Sequence, residues 1–142
     1  ASAADVVIMA AAVSDYRPAS PEQKKIKRGA GKMMLELEPT ADILAELGRN
    51  KGTKILVGFA AETDHLAENA RHKLTAKSAD IIVANDVTQE GAGFDAETNI
   101  VTLFFRDSRE IALPKMSKFD VANRILDHVA ELRLGRPGKD LK

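Results

Sequence analysis

Three unbroken apolar runs constrain this chain more than anything else in it: Val6–Ala12 (VVIMAAA), Ile55–Ala61 (ILVGFAA) and Ile81–Ala84 (IIVA). None alternates apolar with polar residues, so none reads as a strand with one face in water. Continuous runs of this length suit strands buried on both faces, as in a parallel sheet covered by helices. Polar or small residues follow each run: Ser14-Asp15, Glu62-Thr63-Asp64 and Asn85-Asp86. In open parallel sheets ligands bind beyond the carboxyl ends of the strands. The loops after Ala12, Ala61 and Ala84 are therefore where function is expected.

Helical patterns fall between the runs. Asp42–Asn50 puts Ile43, Leu44 and Leu47 on one side, with Gly48 and Gly52 as stop signals. His65–Lys77 spaces Leu66, Ala70 and Leu74 by four. Lys118–Arg133 carries Phe119, Ala122, Ile125 or Leu126, and Val129 on one face, with Ser117 as N-cap. Two antiparallel pairs are predicted. Lys24–Arg28 would pair with Met33–Glu38 across Gly29-Ala30-Gly31, and Ile100–Phe105 with Glu110–Leu113 across Arg106–Arg109, where Asp107-Ser108 supplies turn chemistry. The alternation of β and α predicts an α/β fold: a Rossmann-like parallel sheet core with flanking helices and additional β-hairpins. A single domain over 1–134 and a flexible tail over 135–142, rich in Gly, Pro and charge, are expected.

Composition removes several function classes. The 142 residues carry 21 Lys+Arg against 21 Asp+Glu, so whole-chain charge gives no drive toward nucleic acid. Cysteine is absent, which excludes disulfides, Cys-ligated zinc and thiol nucleophiles. No apolar run reaches the ~18 residues of a membrane span, and the opening lacks the basic region of a signal peptide. No membrane association and a cytoplasmic location are expected. His65, His72 and His128 lack zinc-site spacing, no Ser sits in a nucleophile elbow, and no glycine fingerprint for dinucleotides follows a strand. Gly91-Ala92-Gly93-Phe94 lacks the Lys-Ser/Thr of a phosphate loop.

The remaining polar residues each admit two readings. Asp15, at the end of the first strand, either caps a turn or holds a ribose hydroxyl or base amino group. In Lys24-Lys25-Ile26-Lys27-Arg28 an extended backbone puts Lys25 and Lys27 on one face. Such a run is either a solvated edge strand or a set of cations that neutralises phosphate oxygens. Pro39-Thr40-Ala41-Asp42-Ile43-Leu44 opens a helix through Thr40 or Asp42 as cap, and free N–H groups at such a start attract phosphate. Phe59, between small neighbours, is a core ring or faces a ligand base. Lys73 and Lys77 share a helical face, as snorkelling surface lysines or as a pair reaching a triphosphate or a base carbonyl.

Taken in order, these segments resemble one family. Ala11-Ala12-Val13-Ser14-Asp15-Tyr16, Lys25-Ile26-Lys27-Arg28 and Thr40-Ala41-Asp42-Ile43-Leu44 come first. Val57-Gly58-Phe59-Ala60-Ala61-Glu62-Thr63, Lys73, Lys77 and Ile82-Val83-Ala84-Asn85-Asp86-Val87 follow. The pattern is similar to the bacterial phosphopantothenoylcysteine synthetases, the synthetase half of a bifunctional flavoprotein, and runs to about the last helix. Two positions depart from it. Arg28 stands where the family often has Lys, keeping charge but not geometry, and Ala41 where it usually has Pro. The family's first strand, glycine-rich turn and Asn-bearing segment have no counterpart here, so an N-terminal truncation relative to the family is expected.

The resemblance implies a homodimeric ligase that joins 4'-phosphopantothenate to L-cysteine using CTP with Mg²⁺, in coenzyme A biosynthesis. FMN is implied only where a separate decarboxylase domain is attached. By position, Lys25 and Lys27 would be catalytic cations on a flap. Met9, Ala10, Ala11, Asp15, Lys25, Ala41, Asp42, Ile43, Leu44, Phe59, Lys73 and Lys77 would contact the nucleotide. The resemblance assigns Mg²⁺ no particular ligands in this chain, and they stay open. A non-catalytic CTP-binding fragment of that enzyme and an unrelated Rossmann-like nucleotide module are the alternatives.

Overall fold

A computed structural model describes residues 3–86, 88 and 96–135. The elements are β1 (Val6–Met9), β2 (Tyr16–Pro18), β3 (Leu37–Pro39), α1 (Ile43–Arg49), β4 (Ile55–Glu62), α2 (Leu66–Ala76), β5 (Ile81–Asp86), β6 (Thr98–Asn99), β7 (Val101–Phe105), β8 (Glu110–Ala112), β9 (Met116–Ser117) and α3 (Lys118–Leu134). The chain divides into two compact units, Ala1–Ala10 with Leu44–Lys142, and Ala11–Ile43.

The larger unit is built on a five-stranded sheet in the order β1-β4-β5-β7-β8. The second and third apolar runs form β4 and β5, and Val6–Met9 of the first forms β1, all mutually parallel as expected. Against expectation, β1 lies at the sheet edge and is not buried on both faces, and Ala10, Ala11 and Ala12 lie beyond the strand, exposed. The second predicted hairpin forms as β7 and β8 and extends the sheet, β7 lying antiparallel to β5. Its turn uses the residues the sequence supplied. Asp107 Oδ1 accepts the Arg109 N–H at 3.1 Å, and Ser108 takes φ 70°. A short pairing of β6 with β9 was not foreseen; two residues a side give no periodic signal.

Period-two alternation sorts the strand residues onto two unlike faces. On one face Ile55, Val57, Ile81, Val83, Val101, Leu103 and Phe105 bury against Val121, Ile125 and Val129 of α3. At roughly 1.5–3 kcal/mol for each large apolar side chain fully buried, this face supplies most of the hydrophobic drive. The other face is lined by small residues: Ala60, Ala84, Ala70 and Ala79 surround Ile82, Phe104 and Leu74. Small side chains let α1 and α2 approach the sheet closely. Gly58 shows how closely, since a Cβ there would lie 2.6 Å from Leu44 Cδ2 and 3.0 Å from Ile82 Cδ1. Ser117 caps α3 as predicted, its Oγ accepting the Asp120 N–H at 3.0 Å.

A buried ionic hub joins the amino ends of β4 and β5. Asp80 Oδ2 accepts Lys51 Nζ at 2.7 Å and the Leu56 N–H at 2.8 Å. The Asp80 backbone bonds Leu56 O and the Arg106 N–H. Among the described residues no helix is long and apolar enough to cross a membrane.

In the smaller unit β2 pairs with β3 antiparallel, Arg17 opposite Glu38, and the two side chains form an ion pair at 2.7 Å. This corrects the first predicted hairpin. Lys24–Arg28 is not a strand, and of Met33–Glu38 only Leu37 and Glu38 enter β3. Residues 20–36 are exposed throughout, Met34 at 96%, so the expected ribbon would bury no apolar face. A two-stranded ribbon without such a face is marginal in water, and four cations in one strand weaken it further. Val87, Gly91–Phe94 and residues 136–142 of the expected tail lie outside the described residues.

Candidate functional site

The parallel direction of β1, β4 and β5 brings their carboxyl ends to one edge of the larger unit. The strands end there unequally. β1 leaves β4 at the Met9–Gly58 pair, whereas β4 and β5 stay paired to Glu62–Asp86. Phe59–Glu62 thus project beyond β1, and the chain leaves the sheet just where β4 continues. Met9 is half-buried beside Gly58, and Leu44 covers Gly58 from the small-residue face. Phe59 has the opposite parity, sharing the α3 side with Val57, and is 40% exposed.

Glu62 has the parity of Gly58 and Ala60, so it lies on the α2 side. Its Oε1 accepts Lys73 Nζ at 2.6 Å, and its Oε2 accepts Asn69 Nδ2 at 3.0 Å. Asn69 Nδ2 also reaches the Asp64 carbonyl at 3.2 Å. Helical side chains lean toward the helix N-terminus, which is why Lys73, near the end of α2, reaches back to the strand end. Glu62 is 12% exposed and Lys73 39%, so the carboxylate is enclosed while the ammonium remains at the surface. Lys77 is the C-cap of α2, its N–H bonded to Lys73 O at 2.9 Å. Asp86 holds Thr88 through its Oδ1.

In the smaller unit the loop after Ala12 is closed on itself. Thr40 Oγ1 donates to Ser14 O at 2.6 Å, and Thr40 N–H to Asp15 O at 2.9 Å. Thr40 therefore clips the start of α1 to the Ser14-Asp15 loop and is not the helix cap. The clip brings Asp15, Ala41 and Asp42 into one neighbourhood. Lys25 and Lys27 stand exposed on an irregular segment.

Residues 1–132 match the family model described as DNA/pantothenate metabolism flavoprotein C-terminal domain. The chain belongs to this family. A relative from Bacillus subtilis (strain 168), the coenzyme A biosynthesis bifunctional protein CoaBC, is 54% identical over 130 residues, 92% of this chain and 32% of that protein. A cysteine/cysteine sulfinic acid decarboxylase from an unknown prokaryotic organism is 43% identical over 90% of the chain and 36% of its own length. A crystal structure of the C-terminal domain of a CoaBC protein superposes with a TM-score of 0.75 at 38% identity, covering 95% of this chain and 58% of that one. The chain spans about a third of the length of the curated relatives it matches.

Within this flavoprotein C-terminal domain, the predicted residues fall into three groups. Met9, Ala10, Leu44, Phe59, Lys73 and Lys77 belong to the larger unit, where Met9 and Leu44 meet at Gly58. Ala11, Asp15, Ala41, Asp42 and Ile43 belong to the smaller one, where the Thr40 clip holds Asp15 against the chain that leads into Ala41 and Asp42. Lys25 and Lys27 also lie in the smaller unit, outside that clip. Glu62, which bonds Lys73, and Asn69, which bonds Glu62, were not singled out from the sequence. Their signal was available: strand parity counted from Gly58 puts Glu62 on the helix side, four residues along from it.

Proposed function

We propose that this chain carries the nucleotide side of a CTP-dependent ligase that joins 4'-phosphopantothenate to L-cysteine in coenzyme A biosynthesis. The observation that carries this reading is the carboxyl edge of the parallel sheet. There Lys73 is anchored beside the projecting end of β4, in a chain 54% identical to a coenzyme A biosynthesis protein. In the first step a phosphopantothenate carboxylate oxygen attacks the α-phosphorus of CTP, forming an acyl cytidylate and expelling pyrophosphate. In the second the cysteine amine attacks the acyl carbon, loses a proton and expels CMP.

Charge is the physical demand of the first step. An anionic carboxylate must approach a polyanion, so cations and N–H dipoles must screen the phosphates first. Lys25, with Lys27 beside it, Lys77 and the N–H groups at Ala41–Leu44 supply that screening, while Asp15, Phe59 and Lys73 contact the nucleotide. The attacking carboxylate is already ionised, so this step needs no general base. Among the described residues no three His, Asp or Glu side chains converge as a metal cage. In this reading Mg²⁺ bridges the phosphates of CTP and enters as MgCTP, part of the substrate.

Calorimetric titration with MgCTP reads binding, and pyrophosphate release in the presence of phosphopantothenate reads turnover. MgCTP binding is expected for the unsubstituted chain, and turnover where the substrate side of the site is also present. Lys25→Gln should abolish pyrophosphate release without unfolding the protein, because Lys25 is solvent-exposed. An unaltered rate in that variant refutes its role. Binding of CTP without pyrophosphate release would favour the second reading, a nucleotide-binding module that does not turn over.

A further inference from the structure

We infer that Glu62 is a positioning residue that holds Lys73 as a charge-compensated hydrogen-bond donor for a neutral acceptor, a carbonyl of the nucleotide's base, and not for its phosphates. The inference rests on the nucleotide reading above. Both oxygens of the Glu62 carboxylate are engaged, one by Lys73 at 2.6 Å and the other by Asn69 at 3.0 Å. Asn69 is itself tied to the Asp64 carbonyl, so the carboxylate is a fixed post. An ammonium has three donors, and the post orients the other two. Lys73, at 39% exposure, presents them outward.

Charge decides what those donors suit. Glu62 cancels the Lys73 charge at 2.6 Å. The register sets Asp86 directly beside Glu62, and Asp64 follows two residues later. A triphosphate approaching Lys73 would meet an ammonium whose charge Glu62 already cancels, on a strand end whose neighbours in register and sequence, Asp86 and Asp64, are acidic, so it gains little attraction there. A neutral carbonyl does not depend on net charge and gains a directed bond to a charged donor. The phosphates are then left to the cations outside this cluster.

The test titrates CTP, CMP and cytidine into the unsubstituted chain, Glu62→Gln, Lys73→Met and the double variant. Glu62→Gln should weaken all three ligands by a similar factor, about tenfold, the size of one directed hydrogen bond. In the Lys73→Met background the same change should have no further effect, because Glu62 acts through Lys73. Asn69→Ala, which releases the second carboxylate oxygen, should show the same pattern more weakly and serves if Glu62→Gln does not fold. Tighter CTP binding in Glu62→Gln would overturn the inference, since removal of a repelling charge would then outweigh loss of orientation. A loss confined to CTP, or one that persists without Lys73, would overturn it too. If the unsubstituted chain binds none of the three ligands, the nucleotide reading itself fails; if it binds them and Glu62→Gln is silent, only the positioning role fails.

Discussion

Gly48→Ala sets two known effects of opposite sign against each other. Gly48 lies in α1 and is buried. On helix propensity alone, alanine should stabilise by about 1 kcal/mol. The packing says otherwise. A Cβ at Gly48 would stand 1.8 Å from the Lys77 carbonyl oxygen and 2.8 Å from its carbon. A carbon–oxygen approach under 3.0 Å is essentially never tolerated, so at least 1.2 Å must open between α1 and the turn after α2. The obstacle is backbone, in a turn where Ser78 already takes φ 50°, so no side-chain rotation relieves it. Overpacking of this kind costs about 3 kcal/mol, leaving a net loss of about 2 kcal/mol once propensity is subtracted. With a urea m-value of about 2 kcal/mol/M, the midpoint should fall by about 1 M at unchanged slope. An unchanged or higher midpoint would refute the claim that α1 rests on the Lys77 carbonyl. The same shift displaces the backbone that carries Lys77, so CTP binding should weaken along with stability.

Two further expectations follow from named contacts. Asp80→Asn keeps an acceptor for the Leu56 N–H but strands the Lys51 charge, which is 11% exposed, and should cost about 3 kcal/mol in urea denaturation; a loss below about 1 kcal/mol would show that Lys51 swings out to water. Asp107's carboxyl is held below the usual carboxylate range, first by the Arg109 side-chain hydrogen bond and then by the Arg109 N–H. Its stabilisation is therefore full above the unfolded carboxylate pKa and is lost as pH falls through the lowered folded value. Asp107→Asn should cost a little stability near neutrality and nothing in strong acid, and a loss that persists at the acid end would point to hairpin geometry instead of charge.

β4 and β5 were legible because burial on both faces removes polar residues from a strand. The first run has none either, yet β1 lies at the sheet edge with Ile8 39% exposed, so an apolar run alone did not tell a central strand from an edge one. α2 was legible because it buries the stripe read from the sequence, Ala70 and Leu74. The face of α3 was misread in part, since Val121 joins Ile125 and Val129 in the core while Phe119, Ala122 and Leu126 are exposed. The basic run was misread because alternation alone cannot tell a strand from an exposed segment. A strand also needs a partner, and β3 found its own in Tyr16–Pro18, eight to ten residues upstream of the expected Lys24–Arg28. That Thr40 serves as a clip and not a cap was equally invisible, since its acceptor is the carbonyl of Ser14, 26 residues away.

The sequence by itself determined which residues could be buried, and hence the parallel core, the helices that cover it and the edge where its strands end. It also carried enough local pattern to indicate the family. Tertiary structure alone decided which charges meet. Lys73 read as one of two like cations on a helix face. Folding gives it Glu62 from the end of another element, fixed in turn by Asn69, and leaves Lys77 one turn away. Hydrophobic burial acts residue by residue and leaves its mark in composition and period. Charge acts through space, and the distances that set its sign and strength exist only once β4 and α2 have packed.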